Sequence, residues 1–88
     1  MLILVLCRPA EDADQAHFQH LVPAETAALR ALRGSGVLTG AWSPGHPGAV
    51  LMLDVTDEAE ATRIAAGLPL AQAGLISTEI TVLTPMNL

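Results

Sequence analysis

One acidic residue, Glu25, stands in the middle of an otherwise apolar helical pattern. Spacings of three and four residues, which place side chains on one side of an α-helix, connect it with Phe18, Leu21, Ala28 and Leu32. This stripe should face the rest of the protein, so Glu25 should lie in apolar surroundings. An ionised carboxylate is costly there unless it is paired, hydrated or protonated, and such a group is suited to proton transfer. We therefore take Glu25 as the candidate general base.

Pro23 leaves a second interpretation of Glu25 open. A proline inside a helical pattern either kinks the helix or lies in the first turn of a new one. In the second case the helical phase shifts, and Glu25 points to water in a first turn, where acidic residues are favourable. Glu25 is then a surface residue without a chemical role.

The spacing of the three histidines gives little indication of a metal-binding site. Asp14, His17 and His20 follow one another at intervals of three, and His46 lies between two Pro-Gly pairs. His20 falls nearly opposite the apolar stripe, and no cysteine or carboxylate pattern completes a set of zinc ligands. We therefore predict no metal, and we expect His46 either to be solvated in its loop or to contact a substrate.

The chain has one large aromatic residue on a predicted strand, Trp42, and one thiol, Cys7. Core packing is the commonest use of a lone Trp, and contact with a substrate is the alternative. Cys7 is expected to be an inert buried thiol, because neither a cation nor a helix start is implied beside it. Dinucleotide-binding, phosphate-binding and nucleophile-elbow motifs are absent, so no cofactor is predicted.

Composition and charge narrow the classes of function. The chain has 88 residues, 51% of them hydrophobic and 15% charged, which predicts a single domain over residues 1–88. Four scattered arginines, no lysine and nine acids give a net charge of −5. This balance argues against nucleic-acid binding and against attraction to an anionic membrane. With one cysteine and no targeting or membrane-spanning pattern, we expect a cytoplasmic protein.

The predicted elements follow the order β-α-β-β-α-β. The strands are Leu2–Cys7, Val37–Ser43, Ala49–Val55 and Leu75–Leu83. The first helix starts near an acidic cap within residues 11–14 and runs to Arg33, and the second starts at Thr56 or Asp57 and runs to Ala66. Residues 70–74 are a short connection. This order predicts an α+β, ferredoxin-like fold: a four-stranded antiparallel sheet with two helices on one face.

Both faces of the predicted sheet are apolar, although two helices can cover only one. Alternation along the third strand places Val50 and Met52 on one side and Leu51 and Leu53 on the other. The uncovered face needs an apolar partner, and a second copy of the chain is the simplest one. We therefore expect a homodimer that packs sheet to sheet.

The segment from Glu25 to Leu38 resembles the first helix and second strand of the muconolactone isomerase-like family. In that family a Glu lies eleven residues before the Gly that ends the helix, as Glu25 does before Gly36. The resemblance continues through Trp42, Asp54-Val55, Leu68-Pro69-Leu70 and the hydrophobic last strand, and so covers nearly the whole chain. The related YCII-like family is also similar, with a His at the position of Glu25.

The resemblance implies a dimeric α/β barrel of two ferredoxin-like sheets packed face to face. It also implies a small enzyme that acts without a cofactor on carbonyl compounds, lactones or polyketide-like rings, in a cavity between the sheet and its own helices. Glu25 would be catalytic, and Trp42, His46 and Phe18 would contact the substrate. The family isomerase has a basic residue just after its Trp, where this chain has Ser43, which favours a less charged substrate than muconolactone.

Three functions follow from these observations. The first is an isomerase or cyclase that shifts a proton next to a carbonyl, with Glu25 as the base. The second is a cofactor-free monooxygenase of the antibiotic-biosynthesis type, with Trp42 and His46 around an electron-rich aromatic substrate. The third is a non-catalytic dimeric module that binds a small molecule. Oxygen uptake separates the first two, and an exposed Glu25 without a cavity favours the third.

Overall fold

The computed structural model describes residues 1–88 and contains four strands and three helices. The strands are β1 (Leu2–Pro9), β2 (Leu38–Trp42), β3 (Ala49–Asp54) and β4 (Ile76–Leu83). The helices are α1 (Gln15–Gly34), α2 (Glu58–Gly67) and the short α3 (Pro69–Gln72). The sheet order is β2-β3-β1-β4, and every neighbouring pair is antiparallel. The predicted ferredoxin-like α+β fold is confirmed.

The core lies between the helices and one face of the sheet. Ile3 and Val5 of β1 are fully buried, and Ile3 is paired with Leu53 of β3, which is also buried. Ala61 and Ala65 present the buried side of α2 to this layer. Because side chains alternate along a strand, Cys7 continues the same helix-facing row at the end of β1.

Helix α1 is one continuous helix that contains Pro23. It begins where the Asp14 side chain accepts a hydrogen bond from the N–H of His17, at 2.9 Å. Such an N-cap satisfies a backbone donor that has no partner inside the helix. Of the two alternatives for Pro23, the structure therefore has the single helix. No second helix begins at Pro23, so the apolar stripe continues along one helix.

Helix α3 is the main departure from the predicted elements. Residues 70–74 were expected to be a connection, but a helix begins at Pro69, where the fixed φ of proline favours a first helical position. The helix contacts α1, α2 and β4. At four residues it is too short for hydrophobic periodicity to reveal it.

The second face of the sheet carries no helix, and we call it the open face. Its apolar side chains come from alternate positions of the four strands: Leu2, Leu4, Leu6, Trp42, Val50, Met52 and Leu83. Leu2 is 41% exposed and Trp42 is 56% exposed, and the others are partly buried by their neighbours. The predicted apolar character of both faces is therefore present in the structure.

Candidate functional site

A pocket of about 260 Å³ lies between α1 and the helix-facing side of the sheet, and we call it the Glu25 pocket. Its lining residues come from β1, α1, the β2–β3 hairpin, β3, α3 and β4: Cys7, Pro9, Phe18, Glu25, Leu29, Pro47, Gly48, Ala49, Leu51, Leu70 and Ile76. Glu25 is the only charged residue among them. The pocket is therefore an apolar chamber with one carboxylate in its wall.

The Glu25 carboxylate is partly buried and held by a backbone donor. Its Oε1 atom accepts a hydrogen bond from the N–H of Leu70, at 3.0 Å. Leu70 lies in the first turn of α3, and the N-cap residue Leu68 has no side chain that could accept this bond. Glu25 thus fixes the start of α3, while its second oxygen, Oε2, has no hydrogen-bond partner in the chain. Oε1 holds the carboxylate in place, and Oε2 is free to accept a proton.

Cys7 is the second titratable group of the Glu25 pocket. Burial of the thiol, and then the negative charge of Glu25, raise its pKa from an ordinary value of 9.0 to about 11. Both effects disfavour the thiolate, which is the nucleophilic form of cysteine. At neutral pH the side chain is a neutral thiol beside the carboxylate and has no nucleophilic role.

The β2–β3 hairpin closes one end of the pocket. Gly48 has a φ of 134°, and a Cβ atom there would collide with the carbonyl oxygen of Cys7. Only glycine allows the hairpin backbone to approach β1 so closely. This approach places Pro47 and Ala49 at the mouth of the Glu25 pocket.

The sequence matches the YCII-related domain over residues 1–84. The chain belongs to the YCII-related domain family. A search of curated proteins finds no match to this YCII-related chain. This membership confirms the resemblance to the YCII-like family that the sequence suggests. At the α1 position where that resemblance implies a His, this chain has Glu25.

Two solved enzymes share the fold of this YCII-related domain. Muconolactone isomerase superposes with a TM-score of 0.81 at 22% identity, over 99% of this chain and 92% of that one. The 5-chloro-2-hydroxyhydroquinone dehydrochlorinase from Burkholderia phenoliruptrix, in complex with 2,5-dihydroxybenzoquinone, superposes with a TM-score of 0.76 at 18% identity, over 96% of this chain and 94% of that one. At these identities the likeness shows the fold.

The predicted site residues of this YCII-related domain separate into two groups. Phe18 and Glu25 line the same pocket. Trp42 is 56% exposed and lines a different pocket, and His46 is exposed, lines neither, and has its Nδ1 atom 3.1 Å from the carbonyl oxygen of Pro47. The monooxygenase hypothesis places Trp42 and His46 around one substrate, and the structure does not bring them together at Glu25.

Among the lining residues that the sequence did not predict, Leu70 and Cys7 bear directly on the Glu25 carboxylate. Leu70 acts through its backbone N–H, which no side-chain pattern can reveal. Cys7 was expected to be buried and inert, and its position opposite Ala49 on the helix-facing side follows from strand alternation with Ile3 and Val5.

No group of three or more His, Cys, Asp and Glu side chains is arranged to hold a metal ion. None of the helices combines the length and apolar character that crossing a membrane requires.

Proposed function

We propose that this protein is a small enzyme that moves a proton on a neutral lactone or other carbonyl compound, with Glu25 as the general base. The observation that carries the proposal is the position of Glu25 as the single charged group of an apolar pocket, anchored by one oxygen with the other free. A base is effective when it is held within reach of the proton and shielded from water. The family membership and the shared fold with two enzymes support the same class.

The proposed proton transfer needs no group other than the Glu25 carboxylate and the substrate. The free oxygen of Glu25 takes a proton from the carbon next to the substrate carbonyl, and the C–H electron pair moves into a carbon–carbon bond to form an enolate. The protonated carboxyl then returns the proton to a different carbon of the conjugated system, and the carboxylate is regenerated. The net change is a shifted double bond. In a ring closure the enolate carbon instead attacks a second carbonyl, whose C=O electron pair moves to its oxygen, and the carboxyl of Glu25 returns the proton to that oxygen.

The lining of the Glu25 pocket defines the substrate class. It contains no arginine, lysine or histidine. An anionic substrate would therefore meet Glu25 without a compensating cation. A pocket of about 260 Å³ lies just below the usual range of ligand pockets, which suits a small ring compound. The proposed substrate is neutral, apolar and compact.

Filling the pocket should strongly reduce turnover while Glu25 itself is left unchanged. Ala49 lines the pocket and pairs with Cys7, so an Ala49→Leu side chain would occupy the substrate volume. A suitable probe is α-angelica lactone, a neutral butenolide whose isomerisation to the conjugated lactone is followed by absorbance. We expect the rate to fall at least about ten-fold, whereas Ala66→Leu, an exposed change on α2, should leave it unchanged. Full activity of Ala49→Leu would show that catalysis occurs elsewhere.

A non-catalytic binding module is the second candidate, and one contact favours it. The hydrogen bond from Leu70 gives Glu25 a structural task, because the carboxylate replaces the missing cap of α3. If this were its only task, the pocket would bind a ligand without changing it. Turnover by the wild type separates the two candidates. Glutamine can accept the same hydrogen bond but cannot serve as the base, so Glu25→Gln then separates the structural role of Glu25 from its catalytic role.

We also propose that two copies of the chain pack through their open faces. Leu4 of β1 and Met52 of β3 are directly paired at the middle of this apolar surface. Sedimentation at micromolar concentration should give twice the chain mass of 9.1 kDa. Leu4→Glu should shift the protein to a monomer, since a charge would be buried at the interface. Ala66→Glu, on the helix side, is the control that should remain dimeric, and a stable wild-type monomer would contradict the proposal.

A further inference from the structure

Cys7 has the only side chain in the Glu25 pocket that can donate a hydrogen bond while Glu25 is ionised. The other lining residues are Pro, Phe, Leu, Gly, Ala and Ile, which offer no polar hydrogen from a side chain. The backbone N–H of Leu70 is already used by the Oε1 atom of Glu25. An enolate formed in this pocket would therefore meet a single side-chain donor, the thiol of Cys7.

The thiol lies at the pocket without a partner in the chain. Cys7 is 6% exposed and belongs to β1, in the sheet, whereas Glu25 belongs to α1. Its Sγ atom takes part in none of the side-chain hydrogen bonds of the chain, and it forms none with Glu25. The S–H group and Oε2 of Glu25 are therefore both available to one bound molecule, from two different walls of the pocket.

The charge of Glu25 helps to keep this thiol protonated. Burial and the neighbouring carboxylate raise the pKa of Cys7 from 9.0 to about 11, so the proton stays on sulfur at neutral pH. When Glu25 takes a proton from the substrate, its negative charge passes to the enolate oxygen. A hydrogen bond to an ionised acceptor is stronger than one between neutral groups. The thiol should therefore bind the enolate more strongly than the carbonyl compound, which is the condition for catalysis.

We propose that Cys7 is a second catalytic residue of this site, whose S–H group stabilises the enolate by donating a hydrogen bond to its oxygen. This inference rests on the proposed function of Glu25. The substrate proton moves to Oε2, the C–H electron pair forms the enolate, and sulfur keeps its own proton throughout. The acidic C–H and the oxygen of a carbonyl compound are attached to adjacent carbons, so one small ring can contact both residues.

Turnover of α-angelica lactone tests the role of the thiol in the reaction. Cys7→Ala removes the donor and should lower kcat about ten-fold or more with little change in KM, because the lost hydrogen bond is strongest in the transition state. Cys7→Ser, whose hydroxyl can donate, should retain most of the wild-type kcat. Equal kcat for the wild type and Cys7→Ala would contradict the inference and leave Glu25 as the base. Without turnover by the wild type, the proposed function fails, and the role of Cys7 fails with it.

Binding of an enolate analogue separates hydrogen bonding from turnover and from folding. The side chain of Glu25→Gln is uncharged, as the carboxyl is after it has taken the proton, so p-nitrophenolate can stand for the enolate. In NMR titrations of the ligand signals, Glu25→Gln should bind p-nitrophenolate at least about ten-fold more tightly than the double variant Glu25→Gln, Cys7→Ala. Nitrobenzene, which has the same ring without the oxyanion, should bind both variants equally.

Three results of this titration would overturn the inference. Equal affinity of the two variants for p-nitrophenolate would show that the thiol donates nothing to the oxyanion. A matching loss of nitrobenzene binding in the double variant would show that Cys7→Ala only changes the shape of the pocket. Failure of Glu25→Gln to bind p-nitrophenolate at millimolar concentration would show that the pocket does not accept an enolate-like anion.

Discussion

Glu25→Gln should lower the rate of butenolide isomerisation by about 100-fold or more, with almost no change in the free energy of unfolding. The rate falls because the amide cannot take up the substrate proton. Stability is retained because the amide oxygen can still accept the hydrogen bond from Leu70, which lies 3.0 Å from Oε1 in the native protein. The loss should appear in kcat rather than in ligand affinity, since the base acts in the transition state.

A matched variant separates catalysis from folding. Glu25→Leu removes both the base and the acceptor, so it should be inactive and also less stable by about 1 kcal/mol, the usual cost of leaving a partly buried N–H unpaired. Denaturant unfolding of the wild type and both variants measures the second effect. If Glu25→Gln retained full activity while Glu25→Leu lost stability, Glu25 would be a structural cap and not the base. No turnover by a wild-type protein that binds the lactone would favour the binding-module candidate.

Alkaline pH should destabilise the protein through Cys7. The unfolded thiol ionises near pH 9, but burial and the charge of Glu25 raise the native pKa to about 11. Between these values the unfolded chain releases a proton that the native protein keeps, so the free energy of unfolding falls as the pH rises. The decline should approach about 1.4 kcal/mol per pH unit and total about 2 to 3 kcal/mol by pH 11. Well below pH 9 the effect is absent, because the thiol is protonated in both states.

The composition makes this titration unusually clean. The chain contains no lysine and no tyrosine, and arginine stays charged throughout, so Cys7 is the one side chain expected to titrate between pH 9 and pH 11. Cys7→Ala should give a flat profile in this range. Glu25→Gln should shrink the decline, because the carboxylate is the second cause of the raised pKa of Cys7. An equally steep decline in Cys7→Ala would assign the effect to another group.

The fold could be predicted from the sequence because its signals are local and repeated. Four strands with apolar alternation and two capped helices define the ferredoxin-like order, and the cap at Asp14 was within the predicted range. Helix α3 could not be found in the same way. It has four residues, and its first turn is completed by Glu25, which is 45 residues away in the chain.

The candidate site was predictable only where it depends on helical periodicity. Phe18 and Glu25 share one side of α1 and line one pocket, as their spacing indicates. The position of Trp42 depends on the register of an edge strand with a bulge between Leu38 and Gly40, and no helical or strand period encodes that irregularity. The position of His46 depends on the path of the β2–β3 loop, which the sequence does not define. These two side chains therefore lie apart from Glu25.

Solvent deuterium exchange tests the central claim, that Glu25 removes a proton next to a carbonyl, most directly. α-Angelica lactone is incubated with the protein in deuterated buffer, and loss of the signal from the protons beside its carbonyl is followed by proton NMR. The account predicts that the wild type accelerates this loss well above the buffer rate and that Glu25→Gln, folded and able to bind the lactone, does not. Exchange by Glu25→Gln at the wild-type rate, or no acceleration by a wild-type protein that binds the lactone, would contradict it.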